Sequence, residues 1–217
     1  MRTLLRVLPT VALALMMLSV RAQADDRPRS LFDSVDVSGG FFAFNMRYTE
    51  VLRTSAALIG FGAGVVVNDN LNVGLVGSFS TSVIKNPAYE RFLNDSLGVN
   101  TQGGLETKFG YGGLLVEPVL FHRSAVHLSL PVLVGAGGIN YGYPLPGTDN
   151  SDRRSTVAGQ AFFALEPGVE LEVRLVPIFR IGMGASYLYT SDLDLPETKP
   201  DALRTVMLRL SLKLSAN

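Results

Sequence analysis

Chemistry in this 217-residue chain has to come from a short inventory: 19 acidic and 19 basic residues, two histidines, no cysteine and no tryptophan. Without cysteine there is no disulfide framework, thiolate metal site, cysteine nucleophile or redox motif. His122 and His127 cannot complete a structural zinc site by themselves. The oxygen groups of Asn86, Glu90, Asn94, Asp95, Asn100 and Glu106 lack the regular spacing of a calcium loop. No metal or cofactor is expected. Gly60, Gly62 and Gly64 alternate, and no Gly-Lys-Ser/Thr follows them, so they are not a phosphate loop. His127 and Ser129 share one face of an extended segment, where an imidazole beside a hydroxyl can act as a general base toward a nucleophile. The largest set is electrostatic: Arg47, Glu117, Glu166, Glu170, Glu172, Arg174, Arg180, Arg209 and Lys213 fall at alternate positions of apolar segments. Enclosed on one face, these four acids and five bases must pair, because an isolated buried charge is prohibitively costly.

Composition narrows what can position them. The charges balance to zero, and no Lys/Arg run marks a nucleic-acid surface. Only 18% of residues are charged, below the roughly 25% of soluble domains. Arg2 and Arg6, the apolar core Val11 to Val20, and Ala22-Gln23-Ala24 form a signal peptide over residues 1–24. Its removal takes Arg2, Arg6 and Arg21 and no acid, leaving 193 residues with 16 bases against 19 acids, a net charge of −3. Beyond it no apolar run is long enough for a membrane helix.

After a short polar segment, 25–34, the periodicity is two. Val206, Leu208, Leu210, Leu212 and Leu214 alternate with Thr205, Met207, Arg209, Ser211 and Lys213. The same alternation runs through Phe179 to Thr190, with Leu188 as the misfit, and through Ala161 to Leu175. Five further segments make eight candidate strands within residues 35–214, followed by a tail, 215–217. Gly137-Gly138 predicts a phase shift that aligns Ile139, Tyr141 and Tyr143 with the aliphatic face, and Gly39-Gly40 predicts another in the first strand.

Short connections, Asn68-Asp69-Asn70, His122 to Ala125 and Val176 to Ile178, alternate with longer ones, Glu50 to Ser55, Ile84 to Lys108, Pro144 to Val157 and Ser191 to Leu203. An all-β, eight-stranded antiparallel up-and-down transmembrane β-barrel places three tight turns at one end and four loops at the other. Tyr48, Tyr111, Tyr141, Tyr143, Tyr187 and Tyr189 all fall at the loop end, as half of an aromatic girdle at a membrane interface would, with Phe121 and Phe179 opposite. The aliphatic face must then look outward to lipid and the charged face inward. A lipocalin-like soluble barrel would need the reverse.

This layout resembles the small eight-stranded outer-membrane barrels of Gram-negative bacteria, the class including outer-membrane proteins A, X and W. The resemblance covers about residues 35–214 and includes Gly-rich stretches such as Phe109-Gly110-Tyr111-Gly112-Gly113 and Gly135-Ala136-Gly137-Gly138. The ending Leu210-Ser211-Leu212-Lys213-Leu214 departs from the aromatic residue that often closes such barrels. The resemblance implies an outer-membrane location, contact with outer-membrane lipid, insertion by the barrel assembly machinery and a monomer. The function expected is non-enzymatic, structural or surface-interacting, with the lumen plugged by ion pairs and loops 84–108 and 144–157 free to meet an extracellular ligand. Transport of a small ligand or ion is the alternative. The His-x-Ser spacing also resembles the catalytic pair of outer-membrane lipid A deacylases, but His127 and Ser129 adjoin a short turn and face inward, away from lipid.

Overall fold

The computed structural model describes residues 36–96, 98, 104–144 and 154–216. The signal-peptide expectation for 1–24, the segment 25–34 and most of loop 144–157 lie outside the described residues. The elements are β1 (Val37–Val51), β2 (Thr54–Val67), β3 (Leu71–Ser80), α1 (Pro87–Ser96), β4 (Glu106–Leu120), β5 (Val126–Ser129), β6 (Val132–Pro144), β7 (Arg154–Val176), β8 (Phe179–Thr190) and β9 (Thr205–Ala216). β5 and β6 both pair with β4 and with β7. They are two halves of one strand, interrupted at Leu130-Pro131, where proline has no N–H for the ladder. Consecutive strands pair antiparallel, and β1 closes on β9 from Gly40↔Ala216 to Tyr48↔Leu208. The result is a closed ring of eight strands without a free edge.

Alternation sorts side chains as the pattern requires. On β9, Val206, Leu208, Leu210, Leu212 and Leu214 are exposed while Met207, Arg209, Ser211, Lys213 and Ser215 are buried. Leu75, Met183 and Leu208 are 69%, 68% and 62% exposed. These belong to a continuous outward apolar surface, far beyond the few hundred Å² that soluble monomers show.

Four expectations need correction. Glu50 to Ser55 is not a loop: β1 and β2 meet in a two-residue turn, Leu52-Arg53. Gly137-Gly138 shifts no phase, since β4 and β6 pair without irregularity from Val116↔Val132 to Glu106↔Gly142. Ile139 and Tyr141 therefore stay on the inward face with His127 and Ser129. The irregularity of β6 lies instead between Tyr141 and Gly142, against β7, while in β1 it falls between Val37 and Gly39. Finally, β9 runs to Ala216, so the expected tail is mostly strand.

The loop end is closed over by apolar side chains. Tyr89 and Leu93 of α1 are buried with Ile84, Leu105, Ile139, Tyr141, Leu188, Leu193 and Leu203. Asn86 caps the helix by accepting a hydrogen bond from the Tyr89 N–H at 3.2 Å.

Glycine is required where strands approach too closely for a Cβ. A Cβ on Gly64 would run into the Val73 carbonyl oxygen, and one on Gly113 into that of Val134, whereas one on Gly77 meets nothing within 4 Å. Gly64→Ala and Gly113→Ala should each lower unfolding stability in urea titrations of the micelle-folded chain by about 1–3 kcal/mol. Gly77→Ala should be close to neutral, and equal effects at Gly64 and Gly77 would contradict this account.

Candidate functional site

The polar interior begins with strand parity. β7 places Glu166, Glu170 and Glu172 on its inward face, β4 adds Glu117, and β1, β8 and β9 supply Arg47, Arg180, Arg209 and Lys213. These eight charges, four of each sign, are at most 5% exposed. Lys213 joins three carboxylates, with its Nζ 2.7 Å from Glu117 Oε1, 2.5 Å from Glu172 Oε1 and 3.7 Å from Glu170 Oε1. Arg47 Nε donates to Glu166 Oε1 at 2.9 Å. Arg209 Nε lies 3.0 Å from Glu170 Oε2, and Arg180 Nη1 lies 3.8 Å from Glu172 Oε2.

A neutral donor reaches each carboxylate, while Glu170 Oε2 and Glu172 Oε2 accept no hydrogen bond. Asn72 Nδ2 donates to Glu117 at 2.7 Å, and Ser129 Oγ to Glu172 at 2.8 Å. Glu166 accepts from Ser186 Oγ and from Tyr111 Oη, both at 2.7 Å, and Glu170 accepts from Ser211 Oγ. Arg47 also donates to Asn45 and, at 2.6 Å, to Ser78 Oγ. Every buried acid thus has a base and at least one neutral donor, which offsets part of the cost of burying the ion pairs.

β7 and β9 are not neighbours, so their charges must reach across β8. Gly182 of β8 sits between Glu172 and Ser211 in register. A Cβ there would meet the Glu170 carboxylate and the Ser211 hydroxyl. β2 repeats the device: Gly60 sits between Asn45 and Ser78, and a Cβ would come within 2.9 Å of Arg47 Nη1. The glycines are inner-face clearance through which long polar side chains meet over an intervening strand.

The remaining predicted residues fall as follows. Arg174 is half-buried at the turn end, where Nη2 donates to the His122 carbonyl at 3.1 Å, and it makes no ion pair among the described residues. Its position at the end of the inward row leaves it beyond the carboxylates. Tyr48, Tyr187 and Tyr189 point outward, 56%, 43% and 42% exposed. Tyr111 and Tyr141 do not: they are buried, which removes them from the expected girdle. Tyr111 shares the inward parity of Glu117, and Tyr141 packs its ring 4.6 Å from that of Tyr89 under the apolar cap. Tyr143 is half-buried. At the turn end Phe121 is exposed and Phe179 half-buried.

His127 and Ser129 are both buried but serve other partners. His127 Nδ1 is 3.0 Å from the Phe121 carbonyl oxygen, and the Ser129 hydroxyl donates to Glu172. No bond joins the two, so His127 is not placed to activate the Ser129 hydroxyl. Among the described residues no three His, Asp or Glu side chains form a group that could hold a metal ion.

The neutral members Asn45, Asn72, Ser78, Tyr111, Ser186 and Ser211 were absent from the predicted network. All share the inward parity of the charges, which was the available signal.

Lys213→Met should cost about 3–5 kcal/mol of stability in urea unfolding from micelles, because Glu117 and Glu172 would be left buried without their shared cation. Adding Glu117→Gln to that variant should recover part of the loss. An unchanged midpoint for Lys213→Met would exclude a dependence of the fold on this cation.

No protein-family model matches the chain, and no curated protein matches it. Solved structures do. The major outer membrane protein of Thermus thermophilus matches at 15% identity over 82% of this chain and 99% of that one, with a TM-score of 0.54. Neisserial surface protein A matches at 12% identity over 84% and 99%, with a TM-score of 0.49. The attachment invasion locus protein of Yersinia pestis matches at 14% identity over 82% and 97%, with a TM-score of 0.42. The closed ring, its outward apolar surface and the Thermus likeness place the chain in the fold of the small eight-stranded outer-membrane β-barrels.

Proposed function

We propose that the chain is an outer-membrane barrel with a lumen closed by ion pairs and a structural or surface-interaction role that involves no catalysis. The buried, balanced set of eight charges carries this reading: each acid is held by a base and a neutral donor from another strand. An eight-stranded barrel has an interior just wide enough for side chains to fill. A permeating ion would have to separate these buried pairs. Above the pairs, the apolar cap of α1, Leu188, Leu193 and Leu203 lies across the loop end.

Outside, Leu, Val and Phe side chains form the surface that lipid would cover, and Tyr48, Tyr187 and Tyr189 sit at its loop-end margin. In this reading the chain is exported through residues 1–24, inserted by the assembly machinery, and held in lipid as a monomer. What remains for interaction is the loop end, including 84–108 and 144–157. The engagement of His127 with a backbone carbonyl and of Ser129 with Glu172 argues against lipid modification.

Planar-bilayer recordings of the purified chain should show no stable open level, while replacing Glu117, Glu172 and Lys213 together with Ala should introduce one. A stable open level in the wild type would reject the closed lumen in favour of ion transport. Membrane fractionation should recover the chain with the outer membrane, and recovery in the soluble periplasm would overturn the location.

A further inference from the structure

A recess of about 590 Å³ opens at the loop end, away from the lipid-facing wall, between the β1–β2 turn, the start of α1 and the β8–β9 loop. Arg53, Lys85, Arg91 and Lys199 line it, and all four are exposed. None of them makes an ion pair among the described residues. Glu197 and Asp201 also line the recess and leave it a formal charge of +2.

The walls are tied together. Asn86 is 4% exposed, and its Nδ2 donates to the Tyr141 hydroxyl at 3.2 Å, to the Thr198 hydroxyl at 3.4 Å and to the Glu197 carbonyl at 3.5 Å. One side chain thus joins the helix start, the β8–β9 loop and the barrel wall. Arg91 Nε donates back to the Pro87 carbonyl at 3.3 Å, which keeps its guanidinium beside the first turn of α1. Ala88 lines the recess and, as the second helical residue, has no intrahelical acceptor for its N–H. Arg53 is carried on a turn in which Leu52 and Arg53 have φ of 53° and 62°, a conformation costly for both residue types. The turn-end pair Asn68-Asp69 adopts similar angles with residues suited to them.

We propose that this recess binds a phosphate monoester carried on a saccharide. The four cations and the helix start face one small volume, the arrangement that recognises a compact oxyanion. The surplus of two positive charges matches a phosphate monoester, which carries about −1.5 to −2 at neutral pH, better than a singly charged sulfate ester. The volume falls within the range of small-molecule sites, roughly 300–1,000 Å³, and far exceeds what a bare phosphate fills. Leu52, Ala88 and Ala202 provide apolar wall for the face of a sugar ring. The site extends the surface-interaction reading, yet binding to purified protein is measured without reference to conductance or location, so either can fail alone.

The test is an NMR titration of the micelle-folded mature chain at low salt with glucose 6-phosphate, glucose 6-sulfate, glucose and inorganic phosphate. Glucose 6-phosphate should give saturable amide shifts centred on Arg53, Lys85, Ala88 and Lys199, with the sulfate and inorganic phosphate weaker. Lys85→Gln/Lys199→Gln, which removes two exposed cations and no buried contact, should keep the barrel spectrum and weaken binding by about tenfold. Absence of saturable shifts, shifts centred elsewhere, or unchanged affinity in the folded double variant would each overturn the site. Equal affinity for inorganic phosphate would overturn the saccharide, and equal affinity for glucose 6-sulfate would overturn the dianion.

Discussion

Burying eight charges inside a ring of eight strands is the condition to which the rest of the structure answers. Each ion removed from water costs several kcal/mol even after relaxation, so the interior needs balanced signs and further hydrogen bonds to the carboxylates. Four acids meet four bases, and Asn72, Tyr111, Ser129, Ser186 and Ser211 each add a neutral hydrogen bond to a carboxylate. Lys213 is the most connected point, holding β4 and β7 to β9 through Glu117 and Glu172. Arg180 and Glu172 join the adjacent β8 and β7, while the other pairs span strands that are not neighbours and tie the barrel across its diameter as well as around its circumference.

Glycine makes that span possible. Long side chains on β7 and β9 reach each other only because Gly182 leaves space on β8, and Arg47 reaches Ser78 only because Gly60 leaves space on β2. Other glycines serve the backbone itself: Gly64 faces Gly74, and Gly113 faces Gly135, where strands pack too tightly for any Cβ. The glycine content that reads in sequence as generic barrel composition thus has two distinct physical causes, clearance for charge and clearance for backbone.

The interior also changes character along its axis. Charges occupy the turn end and middle, while Phe109, Ile139, Tyr141, Phe162, Leu188 and Met207 fill the loop end beneath α1. The apolar cap seals the network from the loop side and supports Asn86, which organises the surface above it. Burial below and exposed cations above are consecutive layers of one column of side chains, so the loop-end recess rests on a packed interior.

Period-two patterning made the ring, its lipid-facing surface and the inward charges legible from residues alone, because in a strand every second side chain must share a face whatever the partner; that Arg174 stands outside the pairs and leaves four acids to four bases was not. Parity puts Ser211 on the polar face of the last strand, and followed in preference to nearness to a loop it also puts Tyr111 inside with Glu117. Which charges meet was not legible, since pairing across a barrel depends on shear and on the reach of side chains over an intervening strand. Nor was the fate of Gly137-Gly138, whose register is held by continuous hydrogen bonding to β4. Leu52-Arg53 shows the same limit: nothing in those residue types favours a tight turn, and the pairing of β1 with β2 imposes it. Local chemistry decided which way each side chain faces; ring closure decided which side chains touch, because contact over a strand is a property of the closed geometry.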